Sequence, residues 1–367
     1  MTVSEPASKD RILCLRLSGL GDIVHTLNAL SQLRTHRPAA HIVWVVEERF
    51  AGLLEGHPYI DELIRIPRSD WGQMLRNPLL YARLLPQLWD LARSLRLRRF
   101  DISIDFQSSV KTAWLVTAAW APLRIGFARP VSRELNCMVQ NSLVSVPIEG
   151  CHRVERYLAL LAPLGILARY MPAVLPRVEE RPGAADSLLW ETDGPLVVIH
   201  PATSRFAAFK RWPAQRYAEL ADRLVRERDA RVLVTWGRDE RELAEVVAEG
   251  AHAKAAISPE PNDLKQLIRL LRRADLFVGS DTGPMHLASA LEVPVVALFG
   301  PKDPAQTGPY CSRSEVVTAD VQCRPCKKRR CRDLRCMRGI TVQQVFEAAC
   351  RVLDGGGVVR AETRSLP

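Results

Sequence analysis

At 367 residues the chain is long enough for about two domains of ordinary size, which excludes a single small module. Its 47% hydrophobic and 25% charged residues are ordinary globular usage and exclude both a disordered polyelectrolyte and a bundle of membrane spans. The 51 Lys and Arg outnumber the 41 Asp and Glu, and the net charge of +10 calls for an anionic partner: nucleic acid, acidic lipid or a phosphorylated small molecule.

Taken in chain order, the opening MTVSEPASKD is polar and lacks the apolar stretch of an export signal, and no apolar run reaches the ~18 residues of a membrane span. The expectation is a cytoplasmic protein. β-Rich runs at 12–17, 41–46, 62–66, 102–105, 123–126 and 143–146 then alternate with helical patterns such as 23–34 and 79–97. A stretch rich in Pro, Gly and acidic residues at 175–194 has no sustained period and reads as a linker. Beyond it, strands at 196–200, 231–235, 276–279 and 295–299 alternate with helices at 214–228, 240–248, 264–273 and 284–291. Such alternation predicts βαβ units around parallel sheets, hence two doubly wound α/β domains. The boundaries are set at 1–178, a linker at 179–194, 195–345, and a C-terminal helix and tail at 346–367.

Ligands of open α/β sheets bind beyond the carboxyl ends of the strands, and four loops there carry chemistry. Arg16-Leu-Ser-Gly-Leu-Gly-Asp22 departs from the dinucleotide fingerprint G-x-G-x-x-G, which argues against a nicotinamide site. Asp22 reads either as a helix cap or as a general base. His200-Pro-Ala-Thr-Ser204 with Lys210-Arg-Trp-Pro213 brings hydroxyls, amides and an ammonium to a helix start, suited to phosphate or to plain solvation. In Trp236-Gly-Arg-Asp-Glu240 the acid could hold ribose hydroxyls or simply start a helix. Gly279-Ser-Asp-Thr-Gly-Pro-Met-His286 sets Asp281, Thr282 and the Gly283 amide at a helix N-terminus, an anion site, although Asp281 could equally cap the helix. His286 taken alone reads as a packed, hydrogen-bonded helix residue.

Ser18-Gly-Leu-Gly-Asp22 with His25-Thr-Leu, Trp44-Val-Val-Glu-Glu48, Asp105-Phe-Gln-Ser-Ser-Val-Lys111, Thr203-Ser204 with Lys210-Arg-Trp-Pro213, and Ser280-Asp-Thr-Gly-Pro-Met-His-Leu287 resemble, in order and over residues 11–310, the lipopolysaccharide heptosyltransferases of glycosyltransferase family nine. The two segments Trp-Val-Val-Glu-Glu and Gln-x-x-Val-Lys look most like the enzymes that add the first heptose.

That resemblance implies a GT-B architecture, two Rossmann-like domains facing across a cleft. It also implies inverting transfer of L-glycero-D-manno-heptose from its ADP-activated donor to the Kdo–lipid A inner core, with no cofactor. Asp22 would be the catalytic base. Thr203, Ser204, Lys210, Glu240, Asp281, Thr282, Gly283 and His286 would bind the donor; Glu240 is an approximate match because its loop differs by one residue. Ser18, Gly19, Arg68, Arg133 and Arg156 would meet the anionic acceptor, as guanidinium forks suit carboxylates and phosphates. The stretch 205–209 is longer than in first-heptose enzymes. The absence of any Asp-x-Asp triad predicts metal-independent chemistry, with domain closure bringing Asp22 to the donor. A monomer, peripheral to the cytoplasmic face of the inner membrane, is the expected state.

Cys323-x2-Cys326-x4-Cys331-x4-Cys336 leaves three readings open: structural thiols, a metal site and redox pairing. Within residues 324–338 stand eight basic residues against Asp333 alone, a local +7 that suits anionic headgroups or plain solvent. A nucleic-acid-binding protein using that segment is a distant alternative; aromatic residues do not interleave the basic ones. A nearer one is another nucleotide sugar or acceptor on the same fold.

Overall fold

A computed structural model describes residues 9–132, 134–167, 171–178, 194–237, 239–253, 255–259, 264–326 and 328–357. Contacts divide the chain between Arg177 and Val178 into two units. The expected linker at 179–194 lies outside the described residues except for Gly194.

The first unit holds a parallel sheet of β1 (Arg11–Leu15), β2 (His41–Glu47), β3 (Glu62–Ile66), β4 (Ile102–Asp105), β5 (Leu123–Phe127) and β6 (Ser142–Val144), ordered β3-β2-β1-β4-β5-β6. Its helices are α1 (Leu20–His36), α2 (Glu48–Leu54), α3 (Arg68–Met74), α4 (Tyr81–Leu97), α5 (Val110–Ala119) and α6 (Arg153–Ala159). Continuous apolar strands such as Ile42–Val46 are buried throughout, as a sheet covered on both faces requires. α1 starts earlier than its apolar period suggests, because Gly19 at φ +88° turns the chain directly into the helix.

The second unit repeats the order with β7 (Leu196–His200), β8 (Arg231–Val234), β9 (Ala255–Ile257), β10 (Leu276–Ser280), β11 (Val295–Leu298) and β12 (Ser314–Val317), arranged β12-β11-β10-β7-β8-β9. With it go α7 (Ala214–Arg228), α8 (Arg241–Gly250), α9 (Leu264–Leu271), α10 (Gly283–Ala290), α11 (Pro304–Thr307), α12 (Arg335–Arg338) and α13 (Val342–Leu353). The edge strands β9 and β12 are absent from the sequence reading; three or four residues long and half-buried, they carry little periodic signal. The boundary expected at 345/346 falls inside α13, a helix with a Thr341–Gln344 capping box whose Val345, Phe346, Ala349 and Val352 belong to the core of this unit. Each sheet changes direction between its two central strands, β1/β4 and β7/β10, where ligand sites of doubly wound sheets form.

Candidate functional site

In the first unit, the turn after β1 carries Asp22, and this carboxylate does not cap a helix. α1 begins at Leu20 with Gly19 in the cap position, which leaves Asp22 within the first turn; the cap reading of Asp22 is thereby corrected. Arg16 and Arg153 each form an ion pair with one carboxylate oxygen, and the Tyr157 hydroxyl donates to Oδ1 at 3.3 Å. Arg16 is buried, donates to the Phe106 carbonyl at 3.0 Å and lies 5.6 Å from the centre of the Tyr157 ring. Arg153 is 41% exposed, so one clamp is buried and the other is open to solvent. Burial, opposed by Arg16 and reinforced by the Asp22 charge, raises the Tyr157 phenol above its ordinary range, so it is a neutral donor.

The loop after β4 completes this wall. Gln107 Oε1 accepts from the amides of Leu17 and Ser18 at 2.9 and 3.3 Å, and Asp105 accepts from the amides of Gln107 and Ser108 at 2.9 and 3.0 Å. This explains why Asp105-Phe-Gln belongs with the Ser18–Asp22 turn: it props that turn from the neighbouring strand. Gly19 has no room for a side chain, since a Cβ there would stand 2.8 Å from Asp22 Oδ2 at a left-handed φ.

The expected acceptor residues scatter. Arg68 opens α3 and pairs with the buried Glu47. The Arg156 guanidinium donates to the main-chain carbonyls of Ile148 and Cys151. Arg133 lies outside the described residues. Arg153 and Tyr157, which sequence reading passes over, reach Asp22 from α6; their i, i+4 spacing on that short helix was the only signal available.

In the second unit, Lys210 Nζ donates to Asp281 Oδ2 at 2.5 Å and to the Asp281 carbonyl at 3.2 Å. His286 Nε2 lies 3.2 Å from the other carboxylate oxygen. Burial pushes the Asp281 carboxyl up, but the His286 hydrogen bond and the Lys210 ammonium outweigh it and hold the group well below the usual carboxylate range. The long stretch at 205–209 is a 3-10 turn, Arg205–Lys210, that ends on Lys210. Asp281 is not the cap of α10 either: Thr282 occupies that position, makes no capping bond, and its buried Oγ1 has no hydrogen-bond partner among the described residues. That hydroxyl and the α10 amides at Gly283 can accept an anion next to Asp281, the residue that holds the Lys210 ammonium.

Thr203 is already engaged: its hydroxyl donates to the Ala207 carbonyl at 2.9 Å and accepts from Arg211 Nε at 3.1 Å. Ser204 is exposed ahead of the 3-10 turn. Glu240 accepts from the Gly237 amide at 3.0 Å and stands 3.8 Å from His200 Nε2. Burial raises the Glu240 carboxyl, partly offset by the Gly237 amide, and burial lowers His200 to about 4, so the imidazole is neutral. Chemically, one unit offers a braced carboxylate and the other a grip for a dianion.

The profile of glycosyltransferase family 9 (heptosyltransferase) matches residues 88–336. The Pseudomonas aeruginosa protein named lipopolysaccharide heptosyltransferase 1 is 33% identical over 335 residues, 88% of this chain and 87% of that protein. Among solved structures, the Escherichia coli heptosyltransferase WaaC with ADP superposes at a TM-score of 0.71 with 26% identity, covering 92% of this chain and 98% of that one. The same enzyme with ADP-2-deoxy-2-fluoro heptose gives 0.70 and 27% over 92% and 98%.

Proposed function

The chain belongs to glycosyltransferase family 9, and on that premise we propose that it transfers heptose from ADP-L-glycero-D-manno-heptose to the Kdo–lipid A inner core during lipopolysaccharide core biosynthesis. The observation that carries the reading is Asp22: a carboxylate in the first turn of α1, just beyond a strand end, braced by Arg16, Arg153 and Tyr157.

In the reaction, Asp22 takes the proton of the acceptor hydroxyl while that oxygen attacks the anomeric carbon of the donor. The bond from that carbon to the β-phosphate oxygen breaks, ADP departs and the anomeric centre inverts. A carboxylate held by two guanidinium groups has few free lone pairs. The half-exposed Arg153 supplies the release: an acid group of the acceptor competes for it, opening one acceptor position on Asp22 Oδ1, which keeps the Tyr157 hydroxyl, when substrate is present. Ser18 and Gly19, in the turn that leads to Asp22, belong to the same acceptor side.

Leaving-group charge falls to the second unit. Lys210 uses Asp281 as its resting partner and, with three protons to donate, keeps capacity for a phosphate oxygen. Thr282 Oγ1 and the amides of α10 from Gly283 face that charge as a preorganised set. His286 orients Asp281, Thr203 and Ser204 line the approach, and Glu240 holds the ribose. This assignment needs no divalent ion to neutralise the diphosphate.

An acceptor anchored in lipid requires the enzyme to work at the cytoplasmic face of the membrane. Among the described residues no helix is long and apolar enough to cross one. On α4, Tyr81, Leu85, Trp89 and Arg93 follow at four-residue steps along one exposed face, with Trp89 71% accessible, and Leu79, 87% accessible, stands in the turn just before the helix. That strip offers apolar side chains for insertion, which the purely basic segment 324–338 lacks, with the Arg93 cation at its end.

The deciding experiment measures ADP release from a panel of ADP-sugars with truncated lipid A acceptors, for wild type and Asp22→Asn. Loss of about 10²–10⁴ in turnover with donor binding retained is expected of a lost base. Undiminished turnover in the variant sinks the base; no turnover with any ADP-sugar sinks the donor. Vesicle sedimentation tests the membrane strip: Leu85→Ser with Trp89→Ser should release the protein from anionic vesicles.

A further inference from the structure

Nothing in the reaction above uses the four late cysteines, yet the fold gathers them. Cys323, Cys326, Cys331 and Cys336 all line one cavity of about 50 Å³ in the second unit, closed by Phe209, Pro301 and Leu334. That volume suits an ion or a few waters and is far below the several hundred Å³ of an organic ligand site.

The backbone around the sulfurs is shaped for negative charge. The Lys328 amide donates to Cys326 Sγ at 3.4 Å, two residues on from that cysteine. The amides of Asp333 and Leu334, two and three residues past Cys331, face its sulfur. Leu334 adopts φ +49°, a left-handed conformation that a bulky residue takes only under constraint, and this aims successive amides inward as an anion-holding concavity. Such amides stabilise thiolates, and thiolates are the form that binds soft cations.

We propose that Cys323, Cys326, Cys331 and Cys336 bind one zinc ion as a structural tetrathiolate. Among the described residues no three His, Cys, Asp or Glu side chains already stand as a formed metal site, so the ion would draw the four sulfurs inward from the cavity wall to Zn–S distances of about 2.3 Å. Binding releases four protons to solvent; Zn²⁺ with four thiolates carries a net −2, and no oxidation state changes. This assigns a purpose to the local basic excess, since Arg324, Lys328, Arg332 and Arg335 lie among the ligands in sequence and oppose the net charge of −2.

The ion would fasten several pieces of the second unit. Cys336 and the adjoining Met337 belong to its core, and the Cys326 amide donates to the Pro301 carbonyl at 2.8 Å. Phe209, against the same cavity, immediately precedes Lys210. Zinc loss should therefore loosen the 3-10 turn that presents the ammonium.

The test is metal analysis of tag-free protein purified without added metal. About one zinc per chain is expected, released on titration with an organomercurial. Cobalt replacement should give intense sulfur-to-metal charge-transfer absorption with tetrahedral d–d bands. Cys331→Ser and Cys323→Ser, both at exposed positions, should lose the ion and melt earlier, while Cys350→Ser, outside the cavity, keeps it. Cys336 is buried and is avoided for that reason. The proposal is overturned by protein that takes up no zinc although all four thiols react freely, by a Cys323–Cys326 disulfide in the peptide map, or by iron in place of zinc.

Discussion

Lys210→Ala removes one partner of a pair that is 17% exposed on the lysine and 8% on Asp281, with a separation of 2.5 Å. Stripping one member of a buried pair costs about 3–5 kcal/mol, because the survivor is left charged and poorly solvated. Asp281 retains His286 Nε2 at 3.2 Å, and a hydrogen bond to a charged group is worth about 1.5–3 kcal/mol, so the expected loss is nearer 2–3 kcal/mol. The sign with pH follows from the carboxyl being held below its ordinary range in the folded state. Its stabilising contribution is full above the unfolded value of about 4 and disappears as pH falls further. Urea unfolding followed through Trp212 and Trp236, at pH 7 and at pH 3.5, should show the gap between wild type and variant narrowing at the lower pH. Lys210→Ala with Asp281→Ala should cost less than the two single losses added together. A loss below about 0.5 kcal/mol that is indifferent to pH would refute the claim that this pair holds the loop in the free protein.

Thr282→Val replaces a buried, unpartnered hydroxyl with a methyl; stability should stay within about 0.5 kcal/mol, while calorimetric ADP affinity falls by about 1 kcal/mol, roughly fivefold. Arg153→Ala breaks a half-exposed pair worth at most about 1 kcal/mol, yet kcat/KM should drop tenfold or more, chiefly through KM for the acceptor, with Arg153→Lys recovering only part. His57 and His200, one in each unit, are both lowered by burial to about 4. Between pH 6.5 and 4 the unfolded chain therefore binds protons that the folded chain does not, and stability should fall with pH by about 3 kcal/mol for each. Denaturant titrations of His57→Gln and His200→Gln should each show a shallower decline than wild type.

The long central strands were legible because a parallel sheet covered on both faces needs unbroken apolar runs, and β1, β2, β7 and β10 are such runs. The chemical loops were legible for a related reason: Gly19, Gly283 and Pro284 mark turns where a strand gives way directly to a helix. What escaped was partnership. The ion pairs of Asp22 with Arg16 and Arg153 span six and 131 residues, and neither distance has a periodic signature. Lys210 and Asp281 each stand in a recognisable loop, but they are 71 residues apart and no local pattern encodes their pairing. The short edges β9 and β12 were missed because half-buried three- and four-residue strands look like loop in sequence.

The repeated strand order has a consequence for how such a protein can diversify. The proposed base hangs from the loop after β1, propped from β4, whereas the anion grip hangs from the loops after β7 and β10. Each sheet has its own core, so substitutions that retune the nucleotide sugar need not disturb the acid-binding side, and the reverse holds equally. On the proposed assignment, donor and acceptor preference are separable traits. Exchanging the segment from β7 through α10 between family members should carry sugar preference with it and leave acceptor choice behind.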